Sequence, residues 1–217
     1  MNTWIKAVGT LVLMAAWSVG CALPVPGQGT WETTLQPRDL NGDSVTDAYF
    51  DTDLNITWLA NANANGPMTW ARANTWANNL TVGSYSDWRL PIPTPGGSGA
   101  IVCTSGGTNC GFNVDPSSSE MAHLFHVTLG NISAWDTTAT FRGGTSGIEW
   151  GLVNTGPFTD FQSYFYWFGT PVATDPGITW NFSTNTGNQG AFGRGNPVYA
   201  MAARDGDVTA SIPEPQT

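Results

Sequence analysis

Positive charge is scarce in this chain. Seven Lys plus Arg stand against sixteen Asp plus Glu over 217 residues, the formal net charge is −9, and Lys6 is the sole lysine. Nucleic acid is excluded as a partner on that ground, because phosphate binding needs a cationic stripe that this sequence cannot build. Long apolar runs are missing too: the stretch 7–19 is interrupted by Gly9, Thr10 and Ser18 and falls short of the roughly 20 apolar residues that a membrane span takes. There is neither a Gly-x-Ser-x-Gly elbow nor a His-Glu-x-x-His pair, so neither a serine nucleophile nor that kind of zinc hydrolase is indicated. Cysteine is rare, with three residues in all.

What is present begins with a leader-like N-terminus. Lys6, the apolar run and the small residues Gly20, Cys21 and Ala22 predict a secretory signal over 1–22. It ends either by cleavage after Ala22 or by lipid attachment at Cys21, where Ser18-Val19-Gly20 forms a loose lipobox without its usual leucine. The remaining chain, about 190 residues, fits one domain. Export implies an oxidising compartment, so Cys103 and Cys110, which close a Gly/Thr/Asn loop, are expected as a local disulfide. Zinc is the poorer reading because no second ligand pair has matching spacing.

The stretch 23–38 is rich in Pro, Gly and Thr without periodicity and reads as a linker or edge segment. The folded domain is therefore expected over 39–207, with a tail at 208–217. Alternation and β-formers over 49–59 predict one or two short strands with a turn at 51–55. Met68, Ala71, Trp76, Ala77 and Leu80 follow a helical period and predict a first helix over 68–80. Pro91, Pro93 and Pro95 open a long loop that carries the cysteine pair. Ser117 and Glu120 stand at capping-box spacing ahead of Met121, Leu124, Phe125, Val127 and Leu129, with Gly130 as the stop, which predicts a second helix. The segment 131–157 reads as loop with isolated apolar residues Trp135, Phe141, Ile148 and Trp150. Short strands are predicted at 164–170, 178–182 and 198–204. Two helices and antiparallel strands make an α+β fold.

Three groups of residues could carry chemistry. Asp39, Asn41, Asp43 and Asp47 place side-chain oxygens at positions one, three, five and nine of a tight loop, a spacing that suits the six to eight oxygens of calcium. Ser44 stands where a glycine usually eases the turn and Phe50 occupies the twelfth position, so Asp51 is the carboxylate expected to complete a calcium loop over 39–51. The competing reading is a solvated turn rich in Asx residues. Glu120, His123 and His126 recur at i, i+3 and i+6, but this face drifts along a helix, and capping by Glu120 is favoured over metal binding. Glu120, Glu149, Asp160 and Asp175 are the acids from which a glycosidase pair would be drawn. Aromatic residues crowd the last third of the chain, from Phe158 to Tyr199. Most are expected in the core, although strict alternation along strands would leave some rings exposed for stacking on sugars.

Several of these segments form a pattern: Asp51-Thr-Asp53-Leu-Asn-Ile-Thr-Trp58-Leu, Met68-Thr-Trp70-Ala, Asp87-Trp88-Arg89-Leu90-Pro91, Ser119-Glu120-Met121, Tyr166-Trp167-Phe168-Gly169-Thr170 and Tyr199-Ala-Met-Ala-Ala203-Arg204. It resembles the Lcl C-terminal domain, a bacterial family, over 49–207. The Trp-Arg-Leu-Pro turn followed by the Ser-Glu helix is its most specific part, here split by the Pro/Gly/Cys insertion. The resemblance implies a fold similar to C-type lectins and formylglycine-generating enzymes, on a secreted or surface protein. The namesake adhesin binds glycosaminoglycans, an activity that does not carry over easily to an acidic chain. The reactive cysteine pair of the enzyme relatives is absent. Ile212-Pro213-Glu214-Pro215 looks like the start of a Pro-Glu-Pro sorting signal without its apolar helix and arginine cluster.

The resulting expectation is a non-enzymatic, secreted or surface-attached bacterial module that binds extracellular polysaccharide or a matrix component. Arg89 and Glu120 are expected to fix the fold. Asn181, Asn185, Gln189 and Arg194, with Trp180 as a platform, are the expected ligand contacts. The alternatives are a self-associating component of an extracellular layer or filament, and a glycan-processing hydrolase.

Overall fold

The computed structural model describes residues 23–93, 103–106, 109–144 and 147–208. The predicted leader with Cys21 and the sorting-like tail beyond Val208 lie outside the described residues. The chain folds as α+β, with few and short helices and two largely antiparallel sheets.

The lead-in, expected as a linker or an edge segment, is structured and supplies an edge. It forms a one-turn helix α1 (Trp31–Thr34) and then β1 (Leu35–Arg38), the edge strand of a four-stranded sheet. Pro37 hides this strand from a sequence reading, but proline is tolerated on an edge, where a missing N–H leaves no ladder bond broken. β2 (Ala48–Asp51) and β3 (Ile56–Leu59) form the expected hairpin. β3 also pairs with the later β9, giving the order β1-β2-β3-β9.

Helix α2 (Trp70–Asn79) matches the periodic segment, burying Ala73 and Ala77. The cysteine loop adds two short strands, β4 (Cys103–Thr104) and β5 (Cys110–Phe112), joined by a Cys103–Cys110 disulfide. The second helix is shorter than expected. A 3-10 turn (Pro116–Ser118) leads to α3 (Glu120–His123) and then a π-helical turn (Leu124–Thr128). Its cap is Ser119, whose Oγ accepts from the Ala122 N–H, while Ser117 turns to Asp115. Glu120 does not close a capping box because its carboxylate is drawn to Arg89 and the Ile92 N–H.

The C-terminal part forms β6 (Phe165–Val172), β7 (Asp175–Ser183), β8 (Asn188–Gly193) and β9 (Ala203–Asp205). The first three join β4 and β5 in a five-stranded sheet, ordered β4-β5-β8-β7-β6. This sheet is covered on both faces. Tyr166, Phe168, Trp180 and Phe182 pack into the main core, with Trp58, Met121, Leu124 and Phe125. Trp167 points the other way, into a second cluster with Met68, Leu90 and Val198 under α2. Strand alternation therefore does not expose half of these rings, and in this stretch Tyr164, just outside β6, is the large exposed one.

The Trp88-Arg89-Leu90-Pro91 turn ties the two sheets together. Trp88 and Leu90 are buried, and the Arg89 backbone exchanges two 2.8 Å hydrogen bonds with Ala203. The Arg89 guanidinium donates to both Glu120 oxygens, at 2.9 and 2.7 Å, and to Asp205.

Candidate functional site

A cleft of about 960 Å³ is bounded by the segment 149–163 and by Leu23 and Pro24. Phe158 and Phe161 form its apolar base, in edge contact with each other and with Tyr49 and Tyr166. Glu149, Trp150, Asp160, Gln162 and Ser163 supply its polar and aromatic lining.

The rim is fixed from below. The Tyr166 hydroxyl accepts from the Gln162 N–H at 2.9 Å, and Thr184 Oγ1 donates to the Gln162 carbonyl at 2.6 Å. Burial pushes the Tyr166 phenol well above its ordinary range, so the ring stays neutral in this role. On the opposite side, two buried asparagines tie three segments together. Asn154 Oδ1 accepts from the Val25 and Gly156 N–H groups, and its Nδ2 donates to the Gln28 and Leu129 carbonyls. Asn131 accepts from the Val153 and Asn154 N–H groups and donates to the Asn154 carbonyl.

An aromatic row runs over the surface to this cleft. Phe112 meets Trp135 with ring centroids 6.1 Å apart, Trp135 meets Phe141 at 5.2 Å, and Phe141 meets Trp150 at 5.6 Å. Trp135 is 36% and Phe141 44% exposed, and Ile132 and Ile148 on the same loop are 37% exposed each. Phe112 ends β5, and the rest of the row lies in loop held by side-chain hydrogen bonds to the backbone. Asn113 Nδ2 donates to the Trp135 carbonyl at 2.9 Å, and Asp136 closes the 136–140 turn through the Thr138 and Thr140 N–H groups. Gly151, beside Trp150, has φ +81° and lies against the Asn185 carbonyl with no room for a Cβ, so only glycine fits there.

The residues expected to contact ligand are largely elsewhere. Trp180, Asn181 and Gln189 are 3%, 1% and 1% exposed, because β7 and β8 are interior to a sheet covered on both faces. Arg194 stacks over Trp70 at 4.1 Å. Asn185 is exposed, and its carbonyl contact with Gly151 puts it beside Trp150. Of the four candidate acids, the structure brings Glu149 and Asp160 into one cleft. Glu120 is spent on Arg89, and Asp175 accepts from the Gly177 N–H at the start of β7. In the sequence Trp135, Phe141 and Trp150 stand as isolated apolar residues, and Phe112 carries no mark that joins it to them. The signal of those three was there: rings in a loop of turn residues, with no period that could bury them.

The predicted calcium loop is closed by its own amides. Asp39 accepts from the Gly42 and Ser44 N–H groups, Asn41 from Asp43, Asp43 from Val45, and Asp47 from Leu40. The Ser44 amide is the main cause that holds the Asp39 carboxyl below its usual range. Asp51 does not complete this loop. It is fully buried at the end of β2, where it accepts from Trp58 Nε1 and from the Leu54 and Asp53 N–H groups. Burial pushes its carboxyl above the usual range. Among the described residues no three Asp, Glu, His or Cys side chains are grouped to hold a metal ion.

Glu120, His123 and His126 likewise separate. His123 Nε2 stands 3.9 Å from Asp53, and His126 Nδ1 donates to the Asn131 carbonyl at 3.0 Å while its Nε2 is buried without a partner. Burial lowers the His126 pKa below its ordinary 6.5. The unfolded chain then takes up this proton at higher pH than the native state, so stability falls as pH drops below about 6.5 towards the native value. A melting series from pH 7.5 to 5.5 should show a loss that is smaller in His126→Gln. Asp51 works in the opposite sense, so the variant comparison, not the wild-type slope alone, isolates the histidine. An equal loss in both proteins would rule out the assignment.

A scan against protein-family models, a search of curated proteins and a search of solved structures each return no match to this chain.

Proposed function

We propose that this protein is a secreted or surface-attached bacterial module that binds extracellular polysaccharide or a related matrix component, at the 149–163 cleft and the aromatic row beside it. The row carries the reading. Four partly exposed aromatics linked by three consecutive ring contacts and ending at a polar cleft offer an apolar track flanked by hydrogen-bonding groups, which suits the alternating apolar faces and hydroxyl edges of a sugar chain. The finer, C-type-lectin-like form of the fold belongs to the same proposal. It rests on the Trp88-Arg89-Leu90-Pro91 turn of the Lcl C-terminal domain resemblance, and the contact of Arg89 with Glu120 supports it.

Self-association in a layer or filament is the second reading, favoured by the same exposed Ile132, Trp135, Phe141 and Ile148. Strand edges argue against it. β1 carries Pro37, and the outer edge of β6 is bonded by Tyr199 and Pro91 through the Trp167 and Gly169 N–H groups. A hydrolase is less favoured, because Glu149 and Asp160 are both exposed, whereas the acid of a glycosidase works from an apolar enclosure.

The test is a polysaccharide array probed with the chain in calcium and in chelator, alongside Trp150→Ala and Phe141→Ala. Trp150→Ala should weaken binding by about tenfold or more, the cost of removing a central aromatic anchor. Calcium, if Asp39, Asn41, Asp43 and Asp47 hold it, would brace the 39–47 loop. None of these residues lines the cleft, so binding should be the same in chelator. Failure to bind any glycan, together with concentration-dependent assembly abolished by Phe141→Ala, would replace this reading with self-association. Release of reducing ends from a bound glycan would replace it with the hydrolase.

A further inference from the structure

Resting on that reading, we infer that the cleft selects glycans that carry free amino groups, that is, polymers of partly N-deacetylated hexosamine. The argument lies in the balance of donors and acceptors. Among the lining side chains the donors are mostly spent inside the protein. Gln162 Nε2 donates to the Asp160 carbonyl at 2.8 Å, and Thr155 and Thr159 donate to the Gly156 and Ala60 carbonyls. The Trp150 indole N–H and the Ser163 hydroxyl are the side-chain donors that remain.

Acceptors are left over. The Glu149 carboxylate has no hydrogen bond or ion pair among the described residues, Asp160 uses Oδ2 for Asn61 and keeps Oδ1, and Gln162 keeps Oε1. No Lys, Arg or His lines the cleft. A ligand that satisfies such a surface brings donors and positive charge. An ammonium group has three donors and no acceptor, and Trp150 offers a ring beside which a cation is stabilised.

The rest of the molecule points the same way. Four of the six arginines are engaged within the protein, Arg38, Arg89 and Arg204 by Asp207, Glu120 and Asp87 and Arg194 by Trp70, and the other two, Arg72 and Arg142, do not line the cleft. The net charge of −9 therefore repels uronate or sulfated polymers and attracts cationic ones.

Calorimetry with four probes of matched length tests this: a hexosamine oligomer, partly deacetylated; its fully N-acetylated form; a neutral glucan oligomer; and oligolysine. The partly deacetylated oligomer should bind about tenfold more tightly than the acetylated one at low salt, an advantage that shrinks as ionic strength rises. Glu149→Gln should abolish most of that preference, whereas Asp175→Asn, which removes an equal charge outside the cleft, should leave the preference in place. Equal binding of the amino, acetylated and neutral oligomers would overturn the inference and leave the polysaccharide reading standing. Oligolysine binding as tightly as the amino-sugar oligomer would also overturn it, reducing the effect to bulk charge. Failure of all three glycans would remove the reading on which it rests.

Discussion

Replacing Glu120 with alanine is expected to destabilise the protein by about 3–5 kcal/mol, the range for removing one partner of a buried ion pair. The Glu120 side chain is 9% and the Arg89 side chain 25% exposed, so the pair is well shielded. The variant would strand the guanidinium and free the Ile92 N–H, which donates to Glu120 at 2.8 Å. Asp205 cannot compensate, because its side chain is 82% exposed and an ion pair in water is worth little. Arg89→Lys should also be costly, since lysine cannot span two carboxylate oxygens in one plane. Urea unfolding measures both. A loss below about 1 kcal/mol in Glu120→Ala would mean that solvent screens the pair as it does on a surface, and that the turn and α3 are held by packing alone.

Asn154→Ala is expected to cost about 2–4 kcal/mol, because four hydrogen bonds converge on one fully buried amide and the groups left behind stay unsatisfied. The effect should be local as well as global. The Val25 and Gly156 N–H groups lose their acceptor, so their amide exchange should accelerate beyond what the change in global stability explains. These amides belong to the lead-in and the rim that frame the cleft, so glycan affinity should fall in the same variant. Unchanged exchange at Val25 and Gly156, despite a lowered melting temperature, would mean that the lead-in is anchored by other contacts. Leu23 and Pro24 would then border the cleft independently of Asn154.

Much of the architecture was legible in the sequence where local chemistry is strong. The 3.6 period of Met68, Ala71, Trp76, Ala77 and Leu80 places a helix where α2 lies, although Ala71 is exposed and Ala73 is buried in its stead, and the β-formers on either side of 51–55 place the β2–β3 hairpin. Arg89 in the Trp-Arg-Leu-Pro turn and Glu120 at the helix start were each legible as residues that fix the fold, but their pairing with each other was not. Elements that depend on a neighbour were not. β8, with the sequence Asn-Gln-Gly-Ala-Phe-Gly, has little strand propensity of its own and exists through its register with β7. β1 is hidden by its proline, and the π-helical turn after α3 has no sequence period that would distinguish it from a longer helix.

The candidate site divides in the same way. Spacing alone marked Asp39, Asn41, Asp43 and Asp47 as an oxygen-rich loop, and that loop is formed, yet the burial of Asp51 follows from the pairing of β2 with β3. Asn181 and Gln189 read as part of a polar loop between the last strands, with Trp180 as a platform. β7 and β8 instead run through these positions, Trp180 packs into the main core, and a second core under α2 covers the opposite face of the sheet.

By itself the sequence determined the acidic character, the disulfide partners and the first helix, since each depends on residue chemistry or on neighbours a few positions away, whereas the pairing of Arg89 with Glu120 spans 31 positions and came from the tertiary structure. Only the tertiary structure decided which aromatics are buried and which acids share a cleft. Phe112, at the end of β5, meets Trp135, Phe141 and Trp150 through loops whose course is set by long-range contacts such as Asn113 to Trp135 and Gly151 to Asn185. Burial is a property of what lies on both sides of a residue, and no local pattern encodes the far side.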